Sequence, residues 1–341
     1  MATTAQGVAP GPAEVELAGA PPASSPLAQT PRPGATRDRP QAADAGTPAD
    51  HALLVLMALI WGVNFSVLKV GARYFASPAA FNGVRVLVAL AALAALAAAR
   101  PAARPSRRDA LRLVLLGVLG HGVYQFFFIE GLARSETGTT ALILAGGPAF
   151  VGLVGRLLGT ERPTARAWGA IALQLAGVAG VVFGSAAAAG RGPGGATAAG
   201  VALTVAASVS WAFYAVLLKP YTRRIDGVQV AAWTLVGGAL TLGLAALPAV
   251  AAGALSALPA AGWGALLYSG LLALALSYVF YYRGVRTVGP VRTAMYTNLQ
   301  PVVALGVGAV ALGERPGAWQ LAGALFIGLG LIAASRGGGQ A

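Results

Sequence analysis

From His51 onward, apolar stretches of about 20 residues follow one another, the length a helix needs to cross the hydrocarbon core of a bilayer. The pattern predicts ten spans, at 52–71, 77–99, 111–133, 138–158, 167–184, 197–218, 228–252, 262–282, 290–312 and 317–335. Short breaks of Pro, Gly, Arg and Ser separate them, such as Arg100-Pro101-Ala102-Ala103-Arg104-Pro105 and Ala257-Leu258-Pro259. None of these breaks is long enough to hold a folded domain. Residues 1–50 lack both helical and alternating periodicity and are rich in Ala, Pro, Thr and Gly. Such a stretch cannot bury enough apolar surface to offset its ordering entropy, so a disordered, dispensable cytoplasmic tail is expected. It also lacks the basic start and apolar run of a secretory signal. The fold class that follows is an all-α membrane protein of ten transmembrane helices.

Composition strengthens this reading. Apolar residues make up 57% and charged residues 10% of the 341, against roughly 25% charged in a soluble domain. So few charges could not cover a soluble surface of this size. The absence of cysteine removes disulfides, thiolate metal sites and cysteine nucleophiles together.

The net charge of +13 invites a nucleic-acid reading, and the placement of the charges removes the need for it. With the N-terminus inside, 18 basic residues fall on the cytoplasmic side and 5 on the other. That asymmetry predicts both termini in the cytoplasm. The expected location is the cell inner membrane.

The chain also repeats itself. Trp61-Gly62-Val63-Asn64-Phe65-Ser66-Val67-Leu68-Lys69 returns as Trp211-Ala212-Phe213-Tyr214-Ala215-Val216-Leu217-Leu218-Lys219, and Lys69 and Lys219 are the only two lysines. Glu161-Arg162-Pro163 matches Glu314-Arg315-Pro316, and Pro148 matches Pro301. Five predicted spans separate the copies, an odd number, so the second half (197–335) enters the membrane upside down relative to the first (51–185). Inverted repeats of this kind are the architecture of secondary transporters, with the substrate held near the midplane. A duplicated scaffold for a membrane enzyme or channel is the alternative.

Several motifs lose their force in context. Gly190-Arg191-Gly192-Pro193-Gly194-Gly195 fits a dinucleotide glycine pattern but follows an apolar helix and contains a proline. No phosphate-binding ATP loop accompanies either lysine, and two histidines make a His-built zinc site implausible. No metal or other cofactor is expected. Ala172, Ala176, Gly180 and Gly184, with Gly155 and Gly159, are expected to let helices approach closely. Glu161 and Glu314 precede prolines and are expected to cap the helices that follow. Lys69 and Lys219 end their helices, where a cation is stabilised by the dipole and can snorkel.

Polar groups inside the spans carry more information, because each is costly in lipid. Asn64 lies at mid-depth with Trp61 on its side of span one. His121, Tyr124, Gln125 and Phe128 form one stripe of span three. Tyr278 leads a comparable stripe in span eight, and Asn298 and Gln300 precede Pro301. Pro148 and Pro301 each remove a helix hydrogen bond and permit a bend. Arg85 lies roughly 10 Å deep in span two by helical rise and needs a partner. By depth, Glu130 is the nearest carboxylate, and a substrate carboxylate held bidentately is the other reading. Interhelical hydrogen bonding would account for any one of these residues alone. Together, Trp61, Asn64, Arg85, His121, Tyr124, Gln125, Trp211, Tyr214, Tyr278, Asn298 and Gln300 outline a substrate cavity.

Trp61-Gly62-x-Asn64-Phe65 followed by Lys69, with Arg85 and with Leu299-Gln300-Pro301 leading to Leu312-Gly313-Glu314, resembles the ten-helix EamA-type transporters of the drug/metabolite transporter superfamily. The resemblance implies two five-helix repeats, cytoplasmic termini, a central cavity and, in many relatives, export of amino acids or other metabolites. In the second copy Gly62 and Asn64 become Ala212 and Tyr214, so the half-sites are chemically unequal. The expected function is secondary active export of a small metabolite such as an amino acid, by alternating access, from a monomer or homodimer in the lipid bilayer. His121, with an unperturbed pKa of roughly 6.5, would make transport pH-dependent if the coupling ion is a proton. The competing readings are a membrane-embedded enzyme acting on a lipid, for which no clustered acid pair exists, and a passive facilitator or channel of the same fold.

Overall fold

The computed structural model describes residues 46–100, 102–160, 163–188, 197–288, 293 and 296–335. The tail to residue 45, the 190–195 glycine loop and Glu161 lie outside the described residues. Among the described residues ten apolar helices follow in order: α1 (Pro48–Tyr74), α2 (Pro78–Ala99), α3 (Arg107–Ala133), α4 (Thr137–Leu157), α5 (Ala165–Gly184), α6 (Ala198–Thr222), α7 (Gly227–Ala251), α8 (Ala260–Gly284), α9 (Gln300–Leu312) and α10 (Ala318–Ala333). The first eight are each long and apolar enough to cross a membrane, and the last two are shorter.

The first helix begins inside the segment expected to be tail. Thr47 and Asp50 form a capping box, each side chain satisfying the other's backbone N–H, and Pro48 opens the first turn. Asp50 also accepts from Arg283 Nε at 2.8 Å, so residues 46–50 belong to the folded body.

Contacts at the helix ends fix the direction of α1–α4 and α6–α9, while Gly184 against Trp319 and Gly330 against Gln174 set α5 antiparallel to α10. On one face, Asp50 at the start of α1 meets Arg283 at the end of α8, and Asp109 near the start of α3 pairs with Arg224 just past α6. On that face Gln229 near the start of α7 also donates to the Ala97 carbonyl near the end of α2. On the opposite face, Lys69 near the end of α1 meets Glu314 just past α9. There Glu314 also accepts from Thr137 N at the start of α4, and Thr197 donates to the Arg134 carbonyl beside α3. Each helix of the first half therefore runs opposite to its counterpart in the second. The two halves are inverted copies.

Packing follows the same exchange. α1 packs on α9 as α6 packs on α4, and α3 packs on α6 as α8 packs on α1. α2 lies against α7, and α5 against α10. The α5–α10 crossing is close. A Cβ on Gly177 would come within 2.8 Å of the Gly323 carbonyl, and one on Gly184 within 2.0 Å of Trp319 Cβ. The expected stripe is thus shifted: Ala172 and Ala176 are exposed, and Gln174, Gly177, Val181 and Gly184 face the partner helix. Gly159 has open space around it and φ of +70°, so it serves a turn where a side chain would be strained.

The core lies where α1, α2, α3 and α8 converge on Leu68, Phe81, Ile129, Leu132 and Leu266. Outward faces remain apolar, with Val310 90% exposed. That distribution suits lipid rather than water as the surrounding solvent.

Two helices are broken at matching places. α4 stops at Ala145 and resumes at Gly147, just before Pro148. The expected continuous span at 290–312 is interrupted by a turn at 298–299, and α9 starts at Gln300 with Pro301 in its first turn. A proline interrupts the ladder in each copy. Beside each of the two prolines where a bend is expected, the helix is interrupted by a short turn.

Candidate functional site

Helices α3 and α8 each carry a π-helical segment, at Val118–Val123 and Tyr268–Leu276. The two segments begin 150 residues apart, the spacing of the Trp–Lys repeat. A third occurs in α7 at Ala239–Gly243. Widening the turn to i→i+5 displaces carbonyls from the regular ladder, and such bulges concentrate at functional sites. Here side chains take up those carbonyls. Trp61 Nε1 donates to the Ala273 carbonyl at 2.7 Å, and the Ser277 hydroxyl donates to the Leu272 carbonyl at 2.9 Å. An α1 indole is thereby anchored in the widened turn of α8.

Aromatic rings line the space between these helices. Tyr124 meets Trp211 at 5.0 Å between centroids, Trp211 meets Tyr214 at 5.1 Å, and Tyr214 meets His121 at 5.4 Å. His121 then faces Tyr278 at 5.9 Å, and Tyr278 faces Trp61 at 6.1 Å. The Tyr214 hydroxyl and His121 Nε2 lie 3.3 Å apart. Helices α1, α3, α6 and α8 contribute to this chain, so both repeats build it from equivalent elements. The approach depends on a missing side chain, because a Cβ on Gly120 would stand 2.3 Å from the Tyr214 ring. In place of the plain i, i+3, i+4 stripe of span three, His121 sits inside the π-helical segment and Tyr124 just after it.

Arg85 closes the polar end. It is 1% exposed, and its Nη2 donates to Gln125 Oε1 at 2.8 Å. The pairing with Glu130 expected by depth does not form. Glu130 is one helical turn from Arg134 and is taken by that guanidinium, which reaches the wet end of α3. Among the described residues no carboxylate pairs with Arg85, and its Nε has no hydrogen-bond partner. Asn82, one turn earlier and fully buried, donates to the Gln125 carbonyl at 3.0 Å. Its Oδ1 and the Nδ1 of His121 are likewise unpartnered. Asn82 is absent from the sequence-derived set, although its position three residues before Arg85 in an apolar span was the available signal.

Asn298, Gln300, Pro148 and Pro301 fall elsewhere. With Phe65 and Thr297 they line a separate chamber of about 80 Å³ between the broken helices. Phe65 joins the two regions, since its ring meets Phe128 at 5.6 Å, and Phe128 stacks on Tyr124. Asn64 is buried in α1, with its Oδ1 unpartnered.

Glu314 is indeed a cap, but of a different helix from the one expected. It accepts from the backbone N–H and hydroxyl of Thr137 at the start of α4 and from Lys69. On the opposite face, outside the spans, the Asp109 carboxylate raises the pKa of the Arg224 guanidinium further above its usual value.

Known proteins resemble this chain along most of its length. An exporter of Streptantibioticus cattleyicolor described as "Probable terminal-alkyne amino-acid exporter" is 31% identical over 281 residues, covering 80% of this chain and 91% of its own. The Salmonella typhimurium "Probable amino-acid metabolite efflux pump" is 29% identical, covering 83% and 93%. The Escherichia coli "Uncharacterized inner membrane transporter YedA" is 28% identical, covering 76% and 82%. A solved crystal structure superposes with a TM-score of 0.57 at 19% identity, covering 85% of this chain and 98% of that one, which extends the likeness to the fold alone. The model of the EamA-like transporter family matches residues 51–183 and again 198–336. With a family match on each inverted half, this multi-pass membrane protein belongs to the EamA-like transporter family and is a transporter rather than an enzyme.

Proposed function

We propose that the chain is a secondary active transporter of the cell inner membrane, with both termini cytoplasmic, that exports a small carboxylate-bearing metabolite such as an amino acid by alternating access. The observation that carries this reading is Arg85. A guanidinium in the middle of a span costs roughly 2.5–3.5 kcal/mol on insertion scales, and here no described protein carboxylate offsets it. A substrate carboxylate would complete the site by accepting from the Arg85 Nε edge, with Asn82 and His121 beside it. The rings of Tyr124, Trp211, Tyr214, Tyr278 and Trp61 would hold the apolar body. The names of two relatives, an amino-acid exporter and an amino-acid metabolite efflux pump, support the same substrate class. Proton coupling, where it operates, would pass through His121, the titratable imidazole in this ring chain. Lys69–Glu314 would then be one of the contacts that close one face against the solute.

The test is counterflow in proteoliposomes, using candidate acids identified by metabolite profiling of medium from deletion and overexpression strains. Accumulation of labelled acid against preloaded acid is expected. Equal exchange of the corresponding amides or methyl esters would overturn the carboxylate reading. Flux that shows no counterflow would replace the carrier with a passive facilitator.

A further inference from the structure

Away from the aromatic site, α2 and α7 leave a groove of about 270 Å³ between them. Its floor and walls are apolar, formed by Leu90, Ala94, Ala98, Trp233 and Val236, and Arg104 stands at its end. From Leu90 to Ala98 the groove follows about 12 Å of helix by the α-helical rise. Its upper limit is drawn by Gln229, whose Nε2 donates to the Ala97 carbonyl at 3.2 Å. Small side chains on α2 open the slot, and Trp233 forms its far wall.

Charge at the mouth points to the occupant. Arg104 belongs to a segment that also carries Arg100, Arg107, Arg108 and Arg112. The one acid in that segment, Asp109, is engaged by Arg224 through two 2.8 Å hydrogen bonds. The basic cluster is therefore left without an internal counter-charge from its own loop. An apolar slot with the Arg104 guanidinium at its end, in a segment this basic, matches one ligand chemistry: a hydrocarbon chain bearing a phosphate at its end. We infer that the α2–α7 groove is a binding site for an anionic phospholipid, one acyl chain lying along Leu90–Ala98 and the phosphate on Arg104. The lipid would brace the one crossing at which α2 meets its own inverted counterpart.

The experiment uses the purified full chain in a neutral detergent, with thermal melting followed as lipid is added. Phosphatidylglycerol is expected to raise the melting temperature by several degrees at a concentration at least tenfold below that needed for phosphatidylcholine of identical chains. Ala94→Phe fills the slot, and Arg104→Gln removes the phosphate partner. Both positions are exposed, so both variants should melt like the parent without added lipid. Each is expected to lose the preference for phosphatidylglycerol. Glycerol 3-phosphate, which has the head chemistry and no chain, is expected to give no shift. Equal responses to the two lipids, a preference retained in both variants, or a full response to glycerol 3-phosphate would each overturn the assignment.

Discussion

Glu314 Oε1 lies 2.7 Å from Lys69 Nζ, and the other carboxylate oxygen accepts from the Thr137 backbone N–H at 2.8 Å. One side chain thus joins the end of α1, the start of α4 and the end of α9. Both partners are nearly buried, at 13% and 12% side-chain exposure. At that burial, removing one charge leaves the other poorly solvated, which is the costly way to break such a pair. Lys69→Met and Glu314→Gln should each lower stability by about 2–3 kcal/mol, somewhat under the roughly 3–5 of a fully buried pair. Thermal melting of the two single variants and the double variant gives the coupling. Additive losses would show that the pair is not energetically joined.

Arg85→Gln keeps a donor and removes the charge. A hydrogen bond to a charged group contributes about 1.5–3 kcal/mol, which corresponds to roughly a 10- to 150-fold loss of affinity. Half-saturation in counterflow should rise by that factor, with membrane abundance unchanged or higher, since a buried charge has gone. Arg85→Lys should recover only part of the loss, because an ammonium does not reproduce the planar two-point donor.

The paired variants Asn64→Ala and His121→Gln separate binding from packing. As site residues they should leave abundance and melting close to the parent while weakening solute binding or altering the pH profile. Reduced abundance with normal specific activity in the surviving protein would assign them to helix packing instead.

Gly177→Leu should part α5 from α10, since the new side chain would press on the Gly323 carbonyl and Ile327. Overpacking of this kind costs about 1–3 kcal/mol or more. Ala172→Leu, on the exposed side of the same helix, should leave the melting temperature unchanged.

A reporter active only outside the cytoplasm should stay silent when fused after Arg104 or Arg224 and give signal after Arg191. Signal at Arg224 would overturn cytoplasmic termini. The same fusion series on a chain lacking residues 1–45 should read identically, with transport retained.

Ten apolar stretches and the repeat were legible in the sequence, because hydropathy and spacing carry them directly. The π-helical segments were not. A single extra residue in a turn leaves hydropathy unchanged, and only glycines such as Gly117, Gly120 and Gly122 hinted at close approach. Depth alone also misassigned Glu130, because a carboxylate four residues from an arginine finds that neighbour first. Glu314 was recognisable as a cap, but its true recipient, Thr137, is 177 residues away, and no local rule reaches that far.

The exchange of neighbours between halves has a consequence for assembly. The main packing surfaces of the first half, that of α5 on α10 included, meet helices of the second. Neither half, made as a separate polypeptide, would have the surfaces it needs to close its own interior. Supplied together as two chains cut between 188 and 197, they would meet as two members of a symmetric dimer meet, each offering the other the face it lacks. The duplicated segment is thus a unit of sequence and of shape, while the smallest unit that folds is the interlocked pair.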